Sequence, residues 1–189
     1  MIIELDNFVS DTTLNSIKTA IEPCVLTKGE PNKYHRQGVS LWLPGIKELT
    51  ETYLALSMIF RDVKREIRPK YKPSYSAGGD TGYEFHRYNA GEVCKEHVDS
   101  EIVAGESHLR YASAILHLNT VDGGDLVFPQ QDIKVKTQAG KVVVFPPYGM
   151  YSHYTTPANV ARDVIVTWFV YDGLSVVKNG INITSNQGL

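Results

Sequence analysis

The sequence predicts a mainly β fold, a sandwich or jelly roll, with helices supporting it from the N-terminal side. Three observations predict this. From Gly82 onward, short runs rich in β-branched and aromatic residues alternate with turn signals such as Asn89-Ala90-Gly91, Asp122-Gly123-Gly124, Gln138-Ala139-Gly140 and Pro146-Pro147-Tyr148-Gly149. No helix-length stretch separates these runs, which argues against parallel βαβ units. Ahead of them lie two segments with helical apolar spacing.

The elements follow in order. Ile2, Ile3 and Leu5 read as a short opening strand. Ser10 or Asp11 can cap a helix that places Leu14, Ile17 and Ala20 or Ile21 on one face, and Glu22-Pro23 is expected to stop it near Ile21. Lys28 to Gly38 is polar and reads as a loop or the approach to a hairpin. A longer helix is predicted from about Ile46 to Ile67. Leu49, Tyr53, Leu56, Phe60, Val63 and Ile67 step along it, and Pro69 and Pro73 close it. Tyr53 and Phe60 read as core. Pro73–Thr81 is turn-rich and a candidate mobile loop. The strand candidates are 83–88, 93–98, 109–118, 125–128, 133–137, 141–145, 152–156 and 163–171. The expected organisation is one domain: helical support over about 1–80, the β core over about 82–172, and a tail over 173–189 with a mobile end.

At 189 residues with 42% hydrophobic and 21% charged residues, the chain can bury a sizeable core, and intrinsic disorder is excluded. A net charge of −2 argues against a surface built to neutralise many phosphates, so nucleic acid is not the expected partner. No apolar run reaches the roughly 18 residues of a membrane span. Two cysteines exclude a disulfide scaffold, and the Met1–Asp6 start lacks the features of a signal peptide, so a cytosolic protein is expected. Asn182-Ile183-Thr184 fits a glycosylation sequon and is read as chance.

The chemistry concentrates in one constellation. His97-Val98-Asp99 is the sole His-x-Asp in the sequence. On a strand, residues i and i+2 share a face, so imidazole and carboxylate converge. His153, 54 residues after Asp99, opens another strand candidate and can supply a third ligand. Two histidines and a carboxylate on one side of a metal form the facial arrangement of non-haem Fe(II) oxygenases. Taken alone, a His-x-Asp is usually a surface pair. Arg162 enters the apolar run Val164–Val170, where an unpaired buried charge is costly. A ligand carboxylate would satisfy it; a surface Asp or Glu is the ordinary alternative.

The order of motifs resembles the Fe(II)- and 2-oxoglutarate-dependent dioxygenases of the prolyl 4-hydroxylase type. Arg87-Tyr88-Asn89-Ala90-Gly91 precedes His97-Val98-Asp99. Arg110–Asn119 looks like the next core strand. Gly123-Gly124-Asp125-Leu126-Val127-Phe128 and Gly140 with Val142–Phe145 match further segments. His153, Pro157, Arg162 and Trp168 follow in order. The likeness spans about residues 83–172.

The resemblance implies a double-stranded β-helix (a cupin-like jelly roll), with Fe(II) held by His97, Asp99 and His153. It implies that Arg162 pairs with the distal carboxylate of 2-oxoglutarate, and that Tyr88 and Trp168 line the co-substrate pocket. His117 stands where some relatives carry a tyrosine, leaving a core histidine and a co-substrate contact as equal readings. Arg110 is a candidate substrate contact or a solvated strand end. Fe(II), 2-oxoglutarate, O2 and possible use of ascorbate follow from the same resemblance. So does hydroxylation of prolyl residues in a peptide or protein, with release of succinate and CO2. The alternatives are another hydroxylation substrate (a free amino acid, another side chain or a nucleobase), a non-catalytic metal-binding module, and a zinc hydrolase. His35, His86 and His108 read as surface or packing residues, Cys94 as a small buried hydrophobe, and Ser100–His108 as a candidate lid.

Overall fold

The computed structural model describes residues 1–31, 36–71, 77–100, 110–171, 174–177 and 180–183. The expected lid therefore lies outside the described residues apart from Ser100, as do His35, His108 and the end of the tail. In chain order the elements are β1 (Ile3–Leu5), α1 (Asp11–Lys28), β2 (Glu30–Pro31), β3 (Val39–Trp42) and α2 (Thr50–Ile67). Then come β4 (Ala77–Asp80), β5 (Glu84–Tyr88), β6 (Arg110–His117), β7 (Leu126–Phe128), β8 (Ile133–Val135), β9 (Val142–Phe145), β10 (Tyr154–Thr155) and β11 (Arg162–Tyr171). A hairpin of β12 (Leu174–Val177) and β13 (Gly180–Ile183) ends the described chain.

The large sheet runs β1-β9-β6-β11-β5-β3-β2, with β4 also paired to β11, and a smaller sheet runs β10-β7-β8. All these pairings are antiparallel. This is the jelly-roll architecture, two sheets facing one another. Among the described residues, no helix is long and apolar enough to cross a membrane.

Strand alternation divides the large sheet into two faces. On β11, Ile165 and Phe169 point into a core shared with Leu14, Ile17 and Ile21 of α1 and Leu56, Phe60 and Val63 of α2. The intervening Val164, Val166 and Trp168 join a second core with Ile115, Leu126, Phe128, Val143 and Phe145 between the sheets. The helices thus insulate one face and leave the other free to build a site. Phe60 is fully buried, stacked on Tyr83 at 5.3 Å and edge-on to Phe169 at 6.4 Å. Truncating such a phenylalanine to alanine costs about 3–5 kcal/mol.

Three expectations are corrected. Helix α1 does not stop near Ile21; it passes through Pro23 to Lys28. Proline removes one backbone donor and crowds the preceding turn. Cys24 and Val25, however, continue the buried stripe, and Glu22 is clamped to the sheet by Arg87. Tertiary packing overrides the local signal. Residues 93–98 do not form a regular strand and make only single bridges, Arg36 with Cys94 and His97 with His153. Conversely, β3 and β4 lie in segments that carried no strand pattern, because their partners β5 and β11 supply the ladder.

Candidate active site

The site forms on the sheet face turned away from the helices. His97 and His153 are a directly paired couple: His97 N–H donates to the His153 carbonyl at 3.0 Å, and His153 N–H returns the bond at 2.9 Å. A hydrogen-bonded antiparallel pair sets the two side chains beside each other, and the ring centroids are 4.3 Å apart. Asp99 follows two residues later, its Oδ1 lying 3.3 Å from His97 Nε2 and 3.8 Å from His153 Nε2. One ligand atom from each residue lies within 4.8 Å of the other two. The triad expected from sequence is assembled, by a bridge rather than by a regular strand.

The other nitrogen of each ring is committed to the backbone. His97 Nδ1 donates to the Lys95 carbonyl at 2.9 Å and His153 Nδ1 to the Tyr151 carbonyl at 3.1 Å. This leaves each Nε2 facing the shared point, the arrangement that orients metal-binding histidines. Phe145 meets the His153 ring edge-on at 4.7 Å and Phe128 lies 5.6 Å away, walling that side with hydrocarbon. The metal-free electrostatics fit a cation. Burial disfavours charge on both members of the His97–Asp99 pair, yet their hydrogen bond prevails. The Asp99 carboxyl is held far below its ordinary range by His153 and His97, and His97 is pushed up to about 10 by Asp99 and Cys94. His153 is lowered, chiefly by burial. A buried carboxylate between two imidazoles supplies the negative charge a divalent ion needs.

A narrow cavity runs from the triad along the sheet, lined by Tyr88, His117, Arg162, Val164 and Val166 among others. Arg162 faces Tyr88 across the β5–β11 ladder, and its guanidinium carbon sits 4.4 Å from the Tyr88 ring centroid. Arg162 is 3% exposed, and no carboxylate of the described residues pairs with it. Gly123-Gly124 makes room for it: a Cβ at Gly124, whose φ is +63°, would lie 2.7 Å from Arg162 Cδ. His117 opposes Val164 from β6, is fully buried, and neither ring nitrogen has a partner. Burial, with Arg162 and Lys141 nearby, pushes His117 down to about 3, so the ring is neutral and retains one donor and one acceptor. A buried unpaired cation beside a buried unpaired imidazole costs several kcal/mol unless a ligand completes them. An anionic group fits.

Residues 83–170 match the family model of the 2OG-Fe(II) oxygenase superfamily. The chain carries a 2OG-Fe(II) oxygenase domain. No curated protein sequence matches the chain. Solved structures similar to this oxygenase include the viral collagen prolyl hydroxylase of Paramecium Bursaria Chlorella virus-1 with bound 2OG. It is 19% identical with a TM-score of 0.68, over 90% of this chain and 96% of that one. A Pseudomonas putida prolyl-4-hydroxylase is 20% identical with a TM-score of 0.69, over 91% and 93% of the two chains. A Trichoplax adhaerens prolyl hydroxylase, solved with a hypoxia-inducible-factor peptide fragment, is 15% identical with a TM-score of 0.75, over 90% and 83%. At these identities the likeness shows a shared fold. The 2OG-Fe(II) oxygenase family uses Fe(II), 2-oxoglutarate and O2, and the triad with its adjoining cationic cavity fits the first two.

Two site expectations need restating for this oxygenase. Trp168 does not line the cavity; six residues along β11 from Arg162, it lies under the Arg110 guanidinium, 4.0 Å from ring centroid to Arg110 Cζ. Arg110 is no solvated strand end: it donates to the Asp99 carbonyl at 2.6 Å and so braces the acidic ligand's backbone. Among the lining residues that sequence reading missed are His86 and Arg36. His86 is buried in the cavity wall, and its alternation with Tyr88 on β5 was the signal that could have found it. Arg36 arrives from the β2–β3 connection and had no local signal. Cys94, read as a small hydrophobe, is buried and lines the cavity with Sγ 3.5 Å from His97 Nδ1.

Proposed function

We propose that this oxygenase hydroxylates prolyl residues in a peptide or protein. His97, Asp99 and His153 hold Fe(II), and Arg162, with Tyr88 and His117, holds the distal carboxylate of 2-oxoglutarate. The observation that carries the reading is the buried, unpaired Arg162 beside the unpartnered His117, in one cavity with the three-residue ligand cluster. When bound, the metal would supply the oxidation with O2 as oxidant, one oxygen atom going into succinate as 2-oxoglutarate loses CO2 and the other turning the substrate C–H into C–OH. The protein's part is geometric and electrostatic. The Nδ1 anchors fix both imidazole tautomers, Arg110 steadies Asp99 through its carbonyl, and the Phe128–Phe145 wall keeps water from one side of the centre. Arg162 and the neutral His117 orient a carboxylate by charge and by an N–H donor.

Three structural neighbours described as prolyl hydroxylases, one solved with a peptide, support proline as the target. The test is succinate release from 2-oxoglutarate with Fe(II) and O2, with and without a pool of proline-containing peptides, followed by mass spectrometry of the pool. The reading predicts peptide-stimulated succinate and prolyl residues one oxygen heavier. Succinate formation that no proline peptide stimulates, with oxygen found instead on another residue type, overturns the proline assignment.

A further inference from the structure

A basic run closes α2. Residues 61–70 hold five arginines and lysines against Asp62 and Glu66, a local charge of +3 in a chain whose net charge is −2. The negative end of the helix accounts for Lys64 and Arg65 in its last turn. Arg61 and Arg65 also share Asp62, at 3.7 and 3.3 Å. Arg68 caps the helix and Lys70 lies beyond it. Both are exposed, and neither has a carboxylate partner among the described residues. An exposed charge run is ordinarily a solvated face; what sets this one apart is where it leads.

Tyr71, next to Lys70, donates its hydroxyl to the Met1 carbonyl at 2.7 Å, and the Met1 amino group donates to Tyr151 Oη. Tyr151 N–H donates to the Tyr148 carbonyl at 2.7 Å, and Tyr148 Oη to the Arg110 carbonyl at 3.2 Å. Arg110 in turn donates to the Asp99 carbonyl. Unbroken contacts thus connect the basic run to a residue of the triad. Apolar side chains stand exposed along them: Met1, Tyr148 and Met150 are 60%, 48% and 71% accessible. Met150 lies three residues before His153, and Gln131 Nε2 holds its carbonyl at 2.6 Å, so its side chain rides on a fixed turn. Methionine and tyrosine are the residues enriched where chains dock.

We propose that this surface, from Arg68 and Lys70 across Met1, Tyr148 and Met150 to Arg110, docks the substrate chain, and that the substrate carries acidic side chains to one side of its target residue. This rests on the reading that the substrate is a prolyl peptide or protein, and it adds the class of sequence that surrounds the proline. The acidic side chains meet Arg68 and Lys70, an apolar stretch lies on the methionine–tyrosine patch, and the target residue reaches the triad. Peripheral charges of this kind steer the encounter and select the partner more than they add affinity.

The test gives the full chain, with Fe(II), 2-oxoglutarate and O2, a peptide library with a fixed central proline and randomised flanks. Mass spectrometry reads which members gain oxygen. Members with Asp or Glu on one flank are expected to be enriched about fivefold among the products, the worth of two exposed ion pairs. The enrichment should shrink as salt is raised. Arg68→Gln/Lys70→Gln should abolish it and Arg68→Glu/Lys70→Glu should reverse it. Both double variants should keep the parent's melting temperature and 2-oxoglutarate affinity, because the two side chains are exposed and lie outside the cavity. Met150→Ser should slow turnover of the whole library while keeping the acidic preference. Products without acidic enrichment, or equal enrichment in Arg68→Glu/Lys70→Glu, overturn the proposal. Inhibition of the parent by a DNA oligonucleotide with none by polyglutamate gives the surface to nucleic acid and overturns it too. A parent that binds 2-oxoglutarate yet hydroxylates no library member refutes the prolyl-peptide reading itself, and the inference falls with it.

Discussion

Arg87 joins helix α1 to the site strand, and its removal is the most instructive perturbation of the fold. Its Nε and Nη2 donate to both Asp163 oxygens at 2.8 and 2.7 Å, and its Nη1 and Nη2 to both Glu22 oxygens at 2.9 and 2.8 Å. Asp163 is 7% exposed, so Arg87→Met leaves a buried carboxylate without a counter-charge, which costs about 3–5 kcal/mol. The Glu22 arm is half exposed and adds at most about 1 kcal/mol. For a chain of this size the sum lowers the melting temperature by roughly 10–20 °C. Arg87 and Asp163 are also register partners on β5 and β11, one step from the Tyr88–Arg162 pair. The variant should therefore weaken 2-oxoglutarate binding while sparing the metal, whose ligands sit on other segments. Denaturant unfolding checks the energy, and Arg87→Met/Asp163→Asn should recover about half of it, because no buried charge is left unpaired and Glu22 is half exposed. A single variant that loses under 1 kcal/mol, or a double no more stable than the single, would refute the assignment of Arg87 as the staple.

Further outcomes follow from the site. Gly124→Ala, which drives a methyl into Arg162 Cδ, should raise the Kd for 2-oxoglutarate severalfold and leave metal affinity unchanged; calorimetry checks both. His117→Phe removes two unsatisfied buried nitrogens, so the ligand-free protein should gain about 1–3 kcal/mol while 2-oxoglutarate binding weakens. The same residue sets a pH dependence. Its folded value of about 3 lies below the ordinary value of about 6.5, so the unfolded chain binds more protons between them. Stability from this group is complete above about pH 6.5 and falls as pH drops through that window. Unfolding curves for His117→Phe should show a shallower decline between pH 6 and 4 than the parent. Arg110→Ala should reduce turnover more than it alters melting, since its guanidinium braces the Asp99 carbonyl from the strand end.

What the sequence made legible is what depends on local periodicity. The β-branched and aromatic runs after Gly82 marked β6 and β11 as strands, and α2 showed its stripe because Leu56, Phe60 and Val63 all meet one core. His97 and Asp99 stood out by their His-x-Asp spacing, His153 as a third ligand at the start of a later strand candidate, and Arg162 as a charge entering an apolar run. The rest depends on contacts between distant segments. Pro23 was a true local stop signal, overruled by packing of Cys24 and Val25 and the Glu22 clamp. The site strand at 93–98 proved to be single bridges, since a two-bond pairing of His97 with His153 suffices to bring the ligands together. Arg36 reaches the cavity only through its bridge to Cys94, and Trp168 leaves it because Arg110 caps that ring. No short window of sequence encodes either placement.

The central claim is that one cavity holds Fe(II) on His97, Asp99 and His153 and the co-substrate on Arg162. The most direct test is an anaerobic titration of the Fe(II)-loaded protein with 2-oxoglutarate, watching for the weak visible charge-transfer band of the chelated co-substrate. The account predicts a band in the parent protein, none in Asp99→Ala for want of bound iron, and in Arg162→Gln a band that appears only at much higher 2-oxoglutarate. Bands of equal intensity and midpoint in all three proteins would contradict it.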